Sequence, residues 1–184
     1  MDVAHNPFTT SRQNLKLTVG IRVGINPTDT MLNEILPPTI NNKYHGASIA
    51  KIAFAATTML TLGRSLVHIL KADGGAQSIA TIPLDTYSSD ASATVVAMFA
   101  QWGLSQLLMG LVDTIVLWRY QSLIPLMWVF VLLEWGGRRV LGMYKPIETK
   151  ETPPGAIGNL IFTALAMAML PLSLRKQIRG EKSK

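Results

Sequence analysis

Cysteine is absent from the 184-residue chain. That excludes disulfides, thiolate-bound metals, iron–sulfur clusters, CxxCH haem attachment and cysteine nucleophiles. Charge is scarce as well, with 15% of residues charged against about 25% in an average soluble domain. Histidine is limited to His5, His45 and His68. Only His68 falls inside a long apolar run, so no histidine pair is available there to hold a metal. Ser65, Ser105 and Ser122 lack a His–Asp constellation. Gly74-Gly75 follows no strand and opens no clear helix, which argues against a nucleotide cradle. No complete catalytic, metal-binding or nucleotide-binding motif is present, so no catalytic or metal-binding residue is assigned.

What the chain does have is apolar sequence gathered into long runs, at 48% hydrophobic residues. A bilayer core is about 30 Å thick, and a helix needs roughly 20 mostly apolar residues to cross it. The runs predict an all-α integral membrane four-helix bundle, with spans at about 49–70, 91–118, 122–143 and 156–174. The four-helix transmembrane domain covers 46–176, between a polar, partly disordered N-terminal arm at 1–45 and a basic tail at 177–184. The arm has no hydrophobic core of a secretory signal. Within it, residues 15–26 alternate apolar and polar as a half-buried strand does. A lone strand cannot satisfy its backbone in lipid, so a flexible arm at the membrane surface fits the pattern better. Residues 28–36 are expected to form one or two short helical turns, and 76–82 a short helix on the surface. Pro125 suits a first helical turn. Pro171 is expected to kink or end the last helix.

The formal charge is +6. Its cations flank the apolar runs rather than forming a basic helix, so nucleic acid is not an expected partner. Arg22, Lys43, Lys51, Arg119 and the tail from Arg175 to Lys184 fall on one side of an even-numbered bundle. The positive-inside rule makes that side cytoplasmic and puts both termini there. Lys145 and Lys150 sit awkwardly on the other side. Trp118, Tyr120, Trp128 and Tyr144 are candidate interface anchors.

Ionisable side chains are costly in lipid and usually face protein or a cavity. Arg64 and His68 lie in the first span, Asp113 in the second, and Glu134, Arg138 and Arg139 in the third. Gln101, Gln106 and Asn159 add uncharged polar groups. At 1.5 Å per residue, most fall at a similar depth: Arg64, His68, Gln101 and Gln106 in the outer half, Glu134 near or just past the middle with Arg138 beyond it, and Asn159 near the outer face. Asp113, nearer the cytoplasmic end, is expected to be a helix-end or headgroup contact. Arg64 and His68 share one helix face at i,i+4, as do Glu134 and Arg138. Gly103 and Gly110 permit close helix approach, and Gly136-Gly137 is expected to do the same or to loosen its helix. The candidate ligand-binding residues are Arg64, His68, Gln106, Glu134, Arg138 and Asn159. Three roles suit them: an internal ion pair that locks the helices, an outward-facing pocket, or a proton relay through His68 and Glu134. The pocket would hold an anion, a lipid headgroup, a quinone or a carboxylate.

The stretches LGRSLVHIL, FAQWGLSQLLMGLVD and RYQSLIPLMWVFVLLEWGGRRVLGMYKPIETKETPPGAIGN resemble a group of small, uncharacterised bacterial four-helix membrane proteins of the DoxX-like kind. The resemblance implies a four-helix fold in a bacterial inner membrane. It carries no reaction, no cofactor and no site residues. The expected role is that of an accessory or ligand-binding membrane protein. A quinone- or lipid-handling redox subunit or enzyme is the first alternative, and a small transporter the second. Expected partners are the lipid bilayer and either a second copy or another membrane protein.

Overall fold

The computed structural model describes residues 27–175. The alternating stretch at 15–26 and the basic tail at 177–184 lie outside the described residues. Five α-helices follow one another: α1 (Pro27–Ile35), α2 (Ser48–Leu70), α3 (Ser89–Arg119), α4 (Ile124–Tyr144) and α5 (Pro154–Leu174). Among the described residues there is no strand.

Local chemistry sets most helix ends. Ser88 caps α3 by accepting a hydrogen bond from the Ala91 amide at 3.3 Å, and Asp90 stands in the first turn, where the helix dipole favours an acid. Proline occupies the first turn of both α4 and α5, where its missing N–H goes unused. Helix α5 runs through Pro171 and continues to Leu174, the expected end of the span, so the proline does not end it. The proline lies one turn from the helix end, so few backbone bonds depend on it.

Residues 76–82 do not form the expected surface helix but a series of turns. Gly74 and Gly75 adopt positive φ angles of 59° and 75°, which breaks helical propagation there. The loop also buries Ala76, Ile82 and Leu84 against Val95, Val96 and Phe99 of α3, so it lies on the helices rather than in solvent.

The four long helices form two antiparallel hairpins, α2–α3 and α4–α5. At one end, Ala47 donates its amide to the Leu172 carbonyl at 3.0 Å. Ser122 and Asn41 there exchange two bonds, with the Asn41 amide on Ser122 Oγ and the Ser122 amide on the Asn41 carbonyl. Lys51 Nζ reaches Gln121 Oε1 at 2.8 Å, tying the start of α2 to the α3–α4 turn. At the other end the two long connections clasp each other. Lys150 Nζ binds both Asp85 carboxylate oxygens at 2.8 and 2.6 Å, its amide donates to the Thr81 carbonyl, and Thr81 Oγ1 donates to the Glu151 carbonyl.

Polarity is distributed unusually. Phe54, Val116, Ile124, Met127, Trp128, Val131, Trp135 and Ala166 make an apolar core. Trp128 is fully buried there and donates its indole N–H to the Ala50 carbonyl, so it is not the expected interface anchor. Between α2 and α3 the interior is instead small and polar: Thr57, Thr58, Thr61, Ser65 and His68 face Gly103, Gln106, Gly110 and Asp113. Ile52, Met59, Met98 and Leu133 are 63–71% exposed on the outside. Among the described residues, three helices, α2, α3 and α5, are long and apolar enough to cross a membrane. The expected fourth, α4, has 21 residues but carries Glu134, Arg138 and Arg139.

Gly103 and Gly110 mark the closest approach of α2 and α3. A methyl on Gly103 would stand 2.7 Å from His68 Cβ and 3.1 Å from the Ser65 carbonyl oxygen, and one on Gly110 would stand 2.7 Å from Leu62. Gly137 has nothing within 4 Å of that position, so Gly136-Gly137 is not a second close contact of this kind. Gly103→Ala is therefore expected to cost about 1–3 kcal/mol by overpacking. Gly137→Ala should gain roughly 0.5–1 kcal/mol from helix propensity. Unfolding of the two purified variants in mixed detergent micelles checks this, and equal destabilisation would remove the close-approach account.

Candidate functional site

Three helices each place a pair of residues, spaced i and i+4, at one level of the fold: Arg64 and His68 on α2, Trp102 and Gln106 on α3, Glu134 and Arg138 on α4. The pairs meet. Arg64 Nη2 donates to Gln106 Oε1 at 2.7 Å, and Gln106 Nε2 donates to Glu134 Oε1 at 2.9 Å. A guanidinium only donates and a carboxylate only accepts, so the Gln106 amide fits in one orientation. Arg138 binds the same Glu134 oxygen directly, and Arg64 Nη2 stands 4.0 Å from it.

Two tryptophans enclose the cations. Arg138 lies 4.8 Å from the ring centroids of both Trp102 and Trp135, and Arg64 lies 5.4 and 4.8 Å from the same two rings. An aromatic face attracts a guanidinium through its quadrupole, most strongly where water is excluded. The arginine side chains are 20% and 17% exposed and that of Glu134 is 34%. The electrostatic sum is uneven, with two guanidinium groups facing one carboxylate. Arg64 Nε is buried without a hydrogen-bond partner.

His68 stands beside this cluster. Its Nδ1 lies 2.7 Å from the Gly74 carbonyl oxygen, and since a carbonyl only accepts, Nδ1 carries the hydrogen. The ring packs 4.8 Å from Trp102 and 5.6 Å from Phe99. His68 thus joins the loop to the aromatic wall. That loop is held by Asp73, whose two carboxylate oxygens accept from the Gly75 amide at 3.0 Å and the Ser78 amide at 2.7 Å. Desolvation pushes the Asp73 carboxyl up, but the bonds from Ser78 and Gly75 and the charge of Lys71 outweigh it and hold the group down at about 2.

Of the six residues expected to form the site, Arg64, Gln106, Glu134 and Arg138 bond together, and His68 packs on their Trp102 wall. Asn159 is half-buried on α5, and only its carbonyl is engaged, by Thr163 Oγ1. Gln101 and Arg139 are exposed. Asp113 is 6% exposed, so it is not the expected helix-end or headgroup contact. The close packing at Gly110 one turn away draws that face of α3 inward. Sequence reasoning missed Trp102 and Trp135 as cluster members. Trp102 lies four residues before Gln106, the same spacing that marked the other pairs.

A cavity of about 400 Å³ lies at the opposite end, lined by Asn41, Lys43, Tyr44, His45, Ser122, Ser173 and neighbours. None of the six expected residues lines it. Burial pushes the Tyr44 hydroxyl up to about 12, which keeps it a neutral donor to the Ala47 carbonyl. Among the described residues, no group of three His, Asp or Glu side chains is placed to hold a metal ion. No family model, curated protein or solved structure matches the chain.

Glu134→Gln removes the one carboxylate from between two guanidiniums. A fully buried pair broken in this way costs about 3–5 kcal/mol, and the partial exposure of Glu134 lowers the expected loss to about 2 kcal/mol. Arg139→Ala, at an exposed position, should be neutral. Unfolding of both variants in detergent tests this, and unchanged stability of Glu134→Gln would show that the ion pair holds nothing together. For Asp73 the folded pKa lies below the ordinary value, so its stabilisation is complete above about pH 4 and is lost as pH falls toward 2. An NMR titration of the Ser78 amide should show its midpoint near 2; a midpoint near the ordinary value would mean the carboxylate does not hold the loop.

Proposed function

We propose that this chain is a multi-pass membrane protein whose four long helices form a bundle, and that the Arg64–Arg138 cluster binds an anionic ligand. The membrane assignment draws on the three long apolar helices and on the inverted polarity, with threonine, serine and glycine inside and large apolar side chains outside. Membrane helices associate through such small and polar faces because lipid gives no hydrophobic drive between them. In α4, Glu134 and Arg138 turn toward the other helices and neutralise each other, which lowers the cost of a fourth span. The end bearing α1, Lys43, Lys51, Arg119 and Arg175 faces the cytoplasm in this arrangement. At the far end, Lys150, one of the two awkward cations, is engaged by Asp85.

The observation that carries the ligand assignment is the surplus guanidinium. A purely structural ion pair needs one cation per carboxylate. This cluster holds two, with Arg64 Nε unsatisfied. A buried unpaired charge is expensive, and an incoming monoanion would balance it. Guanidinium groups suit carboxylate and phosphate oxygens by geometry. The role is therefore accessory or ligand-binding, with a lipid headgroup or a small carboxylate or phosphate as the ligand class.

Native mass spectrometry of the detergent-purified chain, with lipid extraction alongside, tests this. A stoichiometric anionic molecule is expected in the wild type and should be lost in Arg64→Ala. A protein that is folded and empty, or one whose bound species persists in Arg64→Ala, would leave the cluster without a ligand.

A further inference from the structure

Asp113 is buried on the α2–α3 interface, and among the described residues it makes no hydrogen bond and no ion pair. It shares the buried face of α3 with Gln106, seven residues earlier, which places it roughly 10 Å along the axis from the cluster. The α2 face at this level carries Thr57 and Thr58, whose hydroxyl hydrogens are committed to the Ala53 and Phe54 carbonyls. Helix α5 brings no charged residue. The charged or titratable groups on α2, α3 and α4 are Lys51, Arg64 and His68 on α2, Asp90 and Arg119 on its own helix, and Glu134, Arg138, Arg139 and Tyr144 on α4. Lys51 is engaged with Gln121, and Glu134 with Arg138 and Gln106. The surplus positive charge of the cluster can therefore be offset in two ways, by an anion on the guanidiniums or by an ionised Asp113.

We propose that Asp113 is a proton-linked regulator of the anion site: its ionised form offsets the surplus charge and weakens anion binding, and its protonated form restores it. This rests on the anion-binding reading above. The coupling is electrostatic, and the proton is exchanged with water. At roughly 10 Å and an effective dielectric of about 20, one charge changes the affinity for another by on the order of tenfold. The coupling is reciprocal. Anion affinity therefore rises as pH falls through the titration of Asp113 and is level on either side. Protonation of His68 would act with the same sign, so the test has to separate the two.

The probe is phosphatidylglycerol, with dimethyl phosphate as its water-soluble counterpart. Both are phosphodiester monoanions whose charge is constant between about pH 5 and 9. Affinities are measured across that range for the detergent-purified full chain and for Asp113→Asn, His68→Gln and Arg64→Ala. In the wild type, affinity should rise on the order of tenfold toward low pH. Asp113→Asn should bind at the low-pH strength throughout. His68→Gln should keep the pH dependence of the wild type, whatever it does to the affinity itself. The same profile with dimethyl phosphate supports the proposal for a free anion, and with the lipid alone for a headgroup. A pH dependence that survives in Asp113→Asn or vanishes in His68→Gln overturns it. So does a flat wild-type profile when Arg64→Ala still abolishes binding. No binding by the wild type at any pH, or binding indifferent to Arg64→Ala, would instead remove the anion site itself, and the coupling with it.

Discussion

Two like charges held side by side between the same pair of indole rings set the central constraint of this fold. Arg64 and Arg138 come from different hairpins, and each lies about 5 Å from the faces of Trp102 and Trp135. Such an arrangement persists only if something answers the repulsion. Glu134 does so from one side, and Gln106 relays the carboxylate to Arg64. The register of α2 against α3, fixed at Gly103 and Gly110, decides whether Gln106 can reach both. A helix slid by one residue would turn the amide away and leave the guanidiniums facing each other.

The long helices were legible from apolar run length, because the need to satisfy backbone groups and bury apolar surface leaves few other uses for runs of about 20 residues. One helix start was legible from its proline, since Pro125 read as a first-turn residue and occupies the first turn of α4. The loop before α3 was not. Its path depends on Asp73 capturing two amides and on positive φ at Gly74 and Gly75, which are tertiary and conformational facts without periodicity. For the same reason Trp128 read as an interface anchor, since composition does not show which side of α4 packs against Phe54.

The candidate site was legible as a depth and a spacing. Ionisable residues at i,i+4 within apolar runs converge when the runs alternate in direction, and four of the six expected residues bond together. Rotation of each helix about its axis was not available from depth alone. Asn159 lies at the right level of α5 yet keeps its side chain out of the cluster, and Asp113 points inward where a boundary position was expected. Packing between glycines and bulky neighbours settles such rotations, and those contacts join residues far apart in the chain.

The division of the cluster between two hairpins also bears on how the chain is made. Synthesis delivers α2 and α3 before α4, so Arg64 emerges with Gln106 as a bonding partner but without Glu134. In the membrane assignment proposed above, the first hairpin is for that interval a cation-bearing pair with no counter-charge at its own level. It would have to wait in a polar environment, such as the insertion machinery or the interface, until the third span arrives. In that assignment, release of the first half into lipid would depend on completion of the second.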